Sequence, residues 1–242
     1  MKKIGFIDGH RIKKWDDWEP SLRDTLFEKD DFLGDILKDE WGVFVSAGCT
    51  GALVAALNGT LVLTTVVTIN FFAQISHQLN LNALHACGME ARIDVDLLAD
   101  QQFMVGLCDA LTYANGTPFD DYGIGAATPV VVAADSAAVI GIDQTISVPT
   151  HPHLNACSTI GAVSRAATDS GIDPVPGTFI RLKIQLDAAG NARFYINDAL
   201  FATHLLAVTP ATPLTVLAVS RNSAGAVTGL MNVDYIKWWQ NR

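Results

Sequence analysis

The acidic residues of one short segment come closest to a catalytic spacing. Residues 89–97 alternate strictly between apolar and charged side chains, which predicts a half-buried antiparallel β-strand with Glu90, Arg92, Asp94 and Asp96 on its polar face. Carboxylate pairs hydrolyse glycosidic bonds at separations of ~5–9.5 Å. At the rise of a strand, the backbones of Glu90 and Asp94 lie ~13 Å apart and those of Asp94 and Asp96 ~6.6 Å apart. Arg92 favours ionised carboxylates over a general acid. We therefore predict a solvated or interface-facing polar strand and no catalytic residue.

Histidine and aspartate motifs elsewhere are weak candidates for metal sites. His151–His153 followed by Cys157 offers ligands of the kind zinc prefers, and Asp120-Asp121 and Asp169–Asp173 offer carboxylates for calcium. The prolines around the two histidines favour a plain turn, and the aspartates lack the dense spacing of a calcium loop. His204, alone in an alternating strand, is typical of a hydrogen-bonded or surface histidine. We predict no metal ligand, no cofactor-binding residue and no nucleotide-binding loop.

Four cysteines are spread along the chain without any Cys-x-x-Cys pair. They are Cys49, Cys87, Cys108 and Cys157. This spacing favours small buried thiols in a reducing compartment over a zinc site or a disulfide framework. Disulfides remain the alternative if the protein is exposed to oxidising surroundings.

The composition limits the kinds of partner. The chain has 242 residues, 16 Lys and Arg against 25 Asp and Glu, a net charge of -9 and a sequence pI near 4.9. An acidic chain without a basic stripe is a poor fit to nucleic acid or to an anionic membrane. Residues 1–41 carry 19 of the 41 charges, which predicts a charged N-terminal arm before an apolar body.

An uncharged stretch follows the arm, from Gly42 to Met89. Its most apolar part, 51–69, is about the ~20 residues that cross a membrane as a helix. However, Asn58-Gly59 between two β-branched runs predicts a β-hairpin, which we favour over a membrane span. The first residues, Met1 to Asp8, lack the apolar core of a signal peptide, so we expect a protein made in the cytoplasm.

Most of the body is predicted to form short strands joined by polar turns. Many such strands without a long helical period indicate a β-sandwich or jelly roll. Besides 89–97, the predicted strands are 101–108, expected to be the hairpin partner or neighbour of 89–97, and 123–127, 137–144, 154–164, 179–186, 192–196, 200–206, 214–220 and 229–239.

The N-terminal arm, residues 1–29, contains two tryptophans and a short amphipathic pattern. Apolar residues on one face of Pro20–Lys29 predict a short helix. The arm either packs on its own domain or docks on another subunit. The residues expected to anchor it are Trp15, Trp18, Leu22, Leu26 and Phe27.

Three segments together resemble a known family. Phe179–Leu200, reading FIRLKIQLDAAGNARFYINDAL, and Asn232–Gln240, reading NVDYIKWWQ, resemble the closing strands of concanavalin A-like lectin/glucanase jelly rolls. Asp30–Trp41, reading DDFLGDILKDEW, resembles the entry to such domains in bacteriophage structural proteins. The resemblance covers roughly residues 30–242. It implies an all-β, two-sheet antiparallel sandwich over those residues, after the arm of residues 1–29.

The resemblance also implies a role. Glycosidases of this family carry a Glu-x-Asp-x-x-Glu pattern, and here Glu90 is the only glutamate beyond Glu40, so we expect no enzyme. We expect a bacteriophage virion protein, most simply a capsid decoration or head-fibre protein that binds the major capsid protein or other virion proteins as a homo-oligomer. Calcium, which related lectins bind, has no motif here.

The alternative function is a carbohydrate-binding, lectin-like module that takes surface glycans; a tail-associated protein or a glycoside hydrolase ranks below it. Lectin-like binding needs exposed aromatic side chains. Adjacent Trp238 and Trp239 point to opposite faces of a regular strand, so one of them belongs to the core. The candidate glycan contacts are Tyr113, Phe119, Tyr122 and Trp238.

Overall fold

The computed structural model describes residues 25–33, 37–54, 59–77, 81–96, 101–109, 134–142, 153–222 and 228–241. Over these residues the chain forms two antiparallel sheets and one short 3-10 helix, Ala83–His85. The strands are β1 (Thr25–Asp30), β2 (Trp41–Val45), β3 (Thr50–Val54), β4 (Thr60–Thr64), β5 (Phe72–His77), β6 (Cys87–Val95), β7 (Gln101–Cys108), β8 (Ser136–Ile142), β9 (Asn155–Ile160), β10 (Val163–Ser164), β11 (Thr168–Asp169), β12 (Ile180–Leu186), β13 (Ala192–Ile196), β14 (Ala199–His204), β15 (Thr215–Asn222) and β16 (Leu230–Asn241).

In both sheets the order of neighbouring strands differs from their order along the chain. The first sheet runs β14-β13-β12-β6-β16-β4-β3, with β1 also paired to β16, and the second runs β10-β9-β8-β7-β15-β5-β2, with β11 also paired to β9. The predicted all-β sandwich is therefore confirmed. The prediction that 101–108 pairs with 89–97 is wrong, because the chain leaves β6 in one sheet and continues as β7 in the other. Such a change of sheet leaves no mark in the alternation of either strand.

The main core lies between the sheets and follows the predicted alternation. Met89, Ala91 and Ile93 of β6 are fully buried in it, as predicted for the apolar side of that segment. The indole of Trp238 lies in the same core against Trp41 and His77. Each strand of the first sheet thus turns its other face outward, away from the second sheet.

The outer faces of the two sheets differ in chemistry. Across the second sheet, Met104, Val139, Leu217 and Val219 form a separate buried apolar cluster on the outer side. The buried polar side chains of Gln74, Gln102 and Arg221 lie on the same side. Across the first sheet, the outer positions of β6 and β12 are mostly charged, and β16 adds Tyr235 and Lys237 to them. Charged side chains that could face a ligand are therefore concentrated on the outer face of the first sheet.

The helix predicted at Pro20–Lys29 is wrong for the residues from Thr25 onward, including Leu26 and Phe27, which form strand β1. The reason lies in β16. On one edge of β16, β4 pairs only with residues 230–233, and β1 pairs with residues 236–241 of the same edge. The spacing of a few apolar residues cannot compete with that row of backbone donors and acceptors.

The closing strands match their predictions, and their turn shows why. Between β12 and β13, one Asp187 carboxylate oxygen accepts the backbone N–H groups of Ala189 and Asn191, and Gly190 has φ 78°. The predicted strand 154–164 is split into β9 and β10 by Gly161 and Ala162, both with positive φ. The predicted strand 123–127 lies outside the described residues.

The uncharged stretch forms strands rather than a span. Strands β3 and β4 pair as the predicted hairpin, and Gly59 has the positive φ, 59°, expected near its turn. In the part of the chain that the structure describes, no helix is long and apolar enough to cross a membrane. All four cysteines are buried thiols outside any disulfide, as the sequence favours, and burial raises the pKa of Cys87 and of Cys157 to about 12.

Candidate functional site

The charged outer face of the first sheet is built around the polar side of β6. Glu90 lies directly between Lys183 of β12 and Lys237 of β16, and Arg92 lies between Arg181 of β12 and Tyr235 of β16. Residues opposite one another on neighbouring strands have side chains on the same side of the sheet. We call this set the charged face: Glu90, Arg92, Asp94, Arg181, Lys183, Tyr235 and Lys237.

Glu90 is the buried centre of the charged face. It is 3% exposed, and its Oε1 accepts a hydrogen bond from the Tyr235 hydroxyl at 2.6 Å and contacts Lys237 Nζ at 3.1 Å. Burial and the bond to Glu90 raise the pKa of Tyr235, while Arg181 and Arg92 oppose the rise. Of the two alternatives predicted for this strand, solvated or interface-facing, the solvated one is wrong at Glu90, because its carboxylate is held by protein groups.

Asp94 is buried as well, at 8% exposure. Its Oδ2 accepts a hydrogen bond from Asn232 Nδ2 at 3.3 Å. Asp96 lies just beyond the end of β6, where its Oδ1 accepts the backbone N–H of Leu230 at 2.7 Å. Asp96 thus fixes the start of β16, and the structure gives it a local structural task instead of a place beside Asp94.

Arg92 and Arg181 are the exposed cations of the charged face. Their side chains are 41% and 42% exposed. Arg92 Nη1 contacts Asp234 Oδ2 at 2.7 Å, and its guanidinium lies over the ring of Phe179. A β-bulge between Val233 and Tyr235 inserts Asp234 into β16 at this point.

Arg181 and Lys183 share one acidic partner. Asp198 contacts Arg181 Nη2 at 2.6 Å and Lys183 Nζ at 4.0 Å. Lys183 Nζ also lies over the ring of Tyr195, 4.5 Å from its centroid, and Lys29 lies in the same way over Tyr235. The aromatic rings around the charged face therefore position cations.

The predicted glycan-contact aromatics do not form this site. Trp238 is 2% exposed in the core between the sheets, so its assignment as a glycan contact is wrong. Trp239 points to the outer face, as the alternation predicts, and is buried over Gly88. Tyr113, Phe119 and Tyr122 lie outside the described residues.

The predicted anchors of the arm are divided in the same way. Leu26 and Phe27 lie on β1, where Phe27 is opposite Trp239 of β16. Trp15, Trp18 and Leu22 lie outside the described residues.

Two of the weak metal motifs meet in space. His153 Nδ1 lies 2.9 Å from Asp169 Oδ2, and its Nε2 lies 3.4 Å from Asp173 Oδ1. The hydrogen bond that His153 donates to the Asp169 carboxylate, together with the charges of Asp169 and Asp173, raises the pKa of His153. Because the carboxylates lie at opposite ring nitrogens, they do not converge on one ion. Among the described residues no group of His, Cys, Asp and Glu could hold a metal; His151 and Asp120-Asp121 lie outside them.

His204 is a buried, hydrogen-bonded histidine, as the sequence indicates. Its Nδ1 lies 2.8 Å from the Ser158 hydroxyl and its Nε2 lies 2.9 Å from the Thr168 hydroxyl. Burial, assisted by Arg165, lowers its pKa to about 4. The imidazole on β14 therefore joins the first sheet to β9 and β11 of the second.

Comparison with known proteins gives the fold a context. No protein-family model and no curated protein matches the sequence. Among solved structures, the carbohydrate recognition domain of Emp47p has a TM-score of 0.62 at 8% identity, over 93% of this chain and 100% of that chain. The protein has a concanavalin A-like jelly-roll fold. A Bacteroides ovatus family 16 glycoside hydrolase, solved with a G4G4G3G product, has a TM-score of 0.62 at 11% identity, over 87% and 99% of the two chains.

A third jelly roll comes from work on endo-acting O-glycanases that members of the human gut microbiota express to initiate mucin breakdown. It has a TM-score of 0.59 at 9% identity and covers 89% of this chain and 99% of that chain. The TM-scores establish a common fold, whereas identities this low say nothing about the activity of this jelly roll.

The sequence pattern predicts the residues at the centre of the charged face but not those on its two sides. Glu90, Arg92 and Asp94 stand out because their strand alternates without a miss. Arg181 and Lys183 alternate in the same way on β12, and that pattern was the available signal. The register that places them beside β6 joins segments far apart in the chain, and no local pattern contains it.

Proposed function

We propose that this jelly roll binds carbohydrate on the charged face without hydrolysing it. The observation that carries the proposal is a pair of partly exposed guanidiniums, those of Arg92 and Arg181. They lie next to the buried and hydrogen-bonded Glu90 on the same face of the sheet. Carbohydrate sites rely on polar side chains that are fixed before the ligand arrives, because each sugar hydroxyl must regain the hydrogen bonds it made to water. The lectin and glycosidase structures of the same fold support this choice.

Binding without hydrolysis is proposed from the residues of β6. On its outer side, Arg92 stands between Glu90 and Asp94, and the two acidic residues are ~13 Å apart along the strand. Glu90 already accepts from Tyr235 and contacts Lys237. These side chains therefore do not place an acid and a base along β6 at the separation of ~5–9.5 Å that glycoside hydrolysis needs.

A glycan array with the purified protein tests the proposal. We expect retention of the wild type and loss of retention in the variant Arg181→Ala/Asp198→Ala, which removes an exposed ion pair without changing net charge. Loss of an exposed pair costs ~0–1 kcal/mol of folding free energy, and alanine at position 198, where φ is 70°, costs ~1–2 kcal/mol more. A circular dichroism spectrum of the variant therefore accompanies the array and confirms that it is folded. The matched control is Asp135→Ala/Arg165→Ala, which also removes one acidic and one basic exposed residue, next to strands of the second sheet.

Three results would count against the proposal. A wild type that no glycan retains removes carbohydrate binding. Retention that survives Arg181→Ala/Asp198→Ala moves the site off the charged face. Release of reducing ends from a retained glycan, measured over hours with Glu90→Gln as the control, makes the protein an enzyme.

The bacteriophage interpretation stays a prediction from sequence resemblance. It needs the arm, whose residues 1–24 lie outside the described residues, and a homo-oligomer. Light scattering on the purified protein and co-sedimentation with phage particles lacking it would test both. A monomer that does not sediment with particles contradicts the virion interpretation and leaves carbohydrate binding intact.

A further inference from the structure

The charged face carries an unusual pair of like charges. Arg92 and Arg181 are directly opposite one another on neighbouring antiparallel strands. Side chains at such positions start from Cβ atoms ~4.5–5.5 Å apart, and like charges there are unfavourable. Tyr235 of β16 is opposite Arg92 on its other side, so the two arginines and this hydroxyl lie in one row across the sheet.

The ion pairs around these two arginines involve more cations than carboxylates. Asp234 contacts Arg92, while Asp198 is divided between Arg181 and Lys183. Three cations therefore form ion pairs with two carboxylates. The other two acidic residues of the charged face are engaged elsewhere, Glu90 by Tyr235 and Lys237 and Asp94 by Asn232.

Each guanidinium also has donors to spare. A guanidinium carries five N–H groups in a planar fork. Within the described part of the chain, Arg92 contacts a carboxylate through Nη1 and Arg181 through Nη2. The other N–H groups of both side chains, at about two-fifths exposure, are open to a ligand.

Each guanidinium fork is held by a neighbouring side chain. Phe179 lies against the guanidinium of Arg92, and Asp198 holds Arg181. Held forks lose little conformational freedom on binding, which favours recognition of an anionic group with two or more oxygens.

We propose that Arg92 and Arg181 together bind an anionic group, so that the protein selects acidic glycans bearing a carboxylate or a sulfate ester. The inference rests on the proposed function, because it names the class of carbohydrate for the same face. An oxyanion between the two forks relieves their repulsion and fills their donors.

The test is a glycan array that pairs neutral glycans with sulfated, sialylated and uronic acid-containing forms of the same backbone. We expect retention of acidic members only, at least tenfold weaker in 500 mM than in 50 mM NaCl because counterions screen the pair. Arg181→Gln is expected to weaken retention about tenfold, the loss of one charge-assisted contact. Arg165→Gln removes one exposed cation elsewhere and is the matched control.

The sulfated and carboxylated members distinguish the two sources of the anion. Equal retention of neutral and acidic members overturns the selectivity and leaves carbohydrate binding standing. Equal retention of a thymidine 20-mer and the acidic glycans also overturns it, because any polyanion would then suffice.

If no glycan is retained, the proposed function fails. A titration with inorganic sulfate then tests the anion site independently. Sulfate titrated to 50 mM against chloride of equal ionic strength should shift the Nε–H resonances of Arg92 and Arg181 in NMR spectra of the full chain. Saturating shifts that disappear in Arg181→Gln support the anion site. Unchanged resonances overturn it.

Discussion

Glu90 shows how a charged side chain can be buried in the outer layer of a sheet. A carboxylate removed from water is costly unless hydrogen bonds and an opposite charge replace its hydration. Tyr235 and Lys237, two residues apart on β16, supply both to the same oxygen. The buried centre of the charged face is thus fixed by one neighbouring strand.

Removing the Tyr235 hydroxyl should therefore destabilise the protein. Tyr235→Phe is expected to lower the free energy of unfolding by about 1–3 kcal/mol, because Glu90 loses a donor in a buried position. Urea denaturation measures the change. Tyr195→Phe is the control, since the Tyr195 ring contacts Lys183 through its face and its hydroxyl has no hydrogen bond among the described residues. Equal effects of the two substitutions would contradict the assigned role of the hydroxyl.

At this scale, sequence could predict which residues face outward and could not predict their partners. The strict alternation of 89–97 placed Glu90 and Arg92 on one side. The burial of Glu90 was not predictable, because Tyr235 and Lys237 come from a strand about 145 residues later. The same limit placed Trp238 among the glycan contacts: alternation separates it from Trp239 without saying which face is the core.

Among the elements, β1 is the clearest case of tertiary pairing overriding a local pattern. Its end is also tied to β2 of the other sheet: the buried carboxylate of Asp30 accepts from Trp41 Nε1 at 2.9 Å and from the backbone N–H of Phe32 at 2.9 Å, and contacts Lys38. Helical spacing at Pro20–Lys29 was a sound expectation for an isolated segment. The open edge of β16 decides otherwise.

Two truncations distinguish the contribution of β1 to stability from that of residues 1–24, which precede it. Although the sequence places residues 1–29 in an arm outside the sandwich, the pairing of β1 with β16 predicts that deleting residues 1–29 destabilises the protein. Deletion of residues 1–24 should leave the thermal midpoint nearly unchanged, because β1 is retained. Circular dichroism melting of both variants measures the difference, and indistinguishable midpoints would show that β1 contributes little.

On the scale of the whole molecule, the class of fold was predictable and the distribution of strands between the sheets was not. Alternating strands and turns such as Asp187–Asn191 specify a sandwich locally. Nothing in the sequence between Val95 and Gln101 indicates that the chain changes sheets there. The difference between the outer faces, one charged and one with a buried apolar cluster, follows only from that distribution.

His204 gives the contact between the sheets a dependence on pH. Its pKa is near 4 when folded and ~6.5 when unfolded, so the unfolded chain binds the proton first. Stability is therefore complete above pH 6.5 and falls as the pH drops toward 4, by at most ~1.4 kcal/mol per pH unit from this residue. Urea denaturation between pH 8 and 4.5 should show a shallower loss in His204→Gln than in the wild type.

His153 provides the control with the opposite sign. Its pKa is raised, so its stabilising effect is complete below pH 6.5 and is lost as the pH rises through the raised value. His153→Gln should therefore remove stability at low pH and leave the acid-side loss of the wild type in place. A wild type and His204→Gln with parallel pH profiles would rule out the titration assigned to His204.

The pairing of β1 with β16 has a consequence for synthesis. These strands join residues 25–30 to residues 236–241, so β1 waits for roughly 200 residues of chain to be made before its partner exists. At ~5–20 residues per second that wait is ~10–40 s, during which the edge of β1 is open to other chains. The first sheet can close only after β16 has been synthesised and has left the ribosomal exit tunnel. Premature termination before β16 should thus yield chains that chaperones hold and proteases remove.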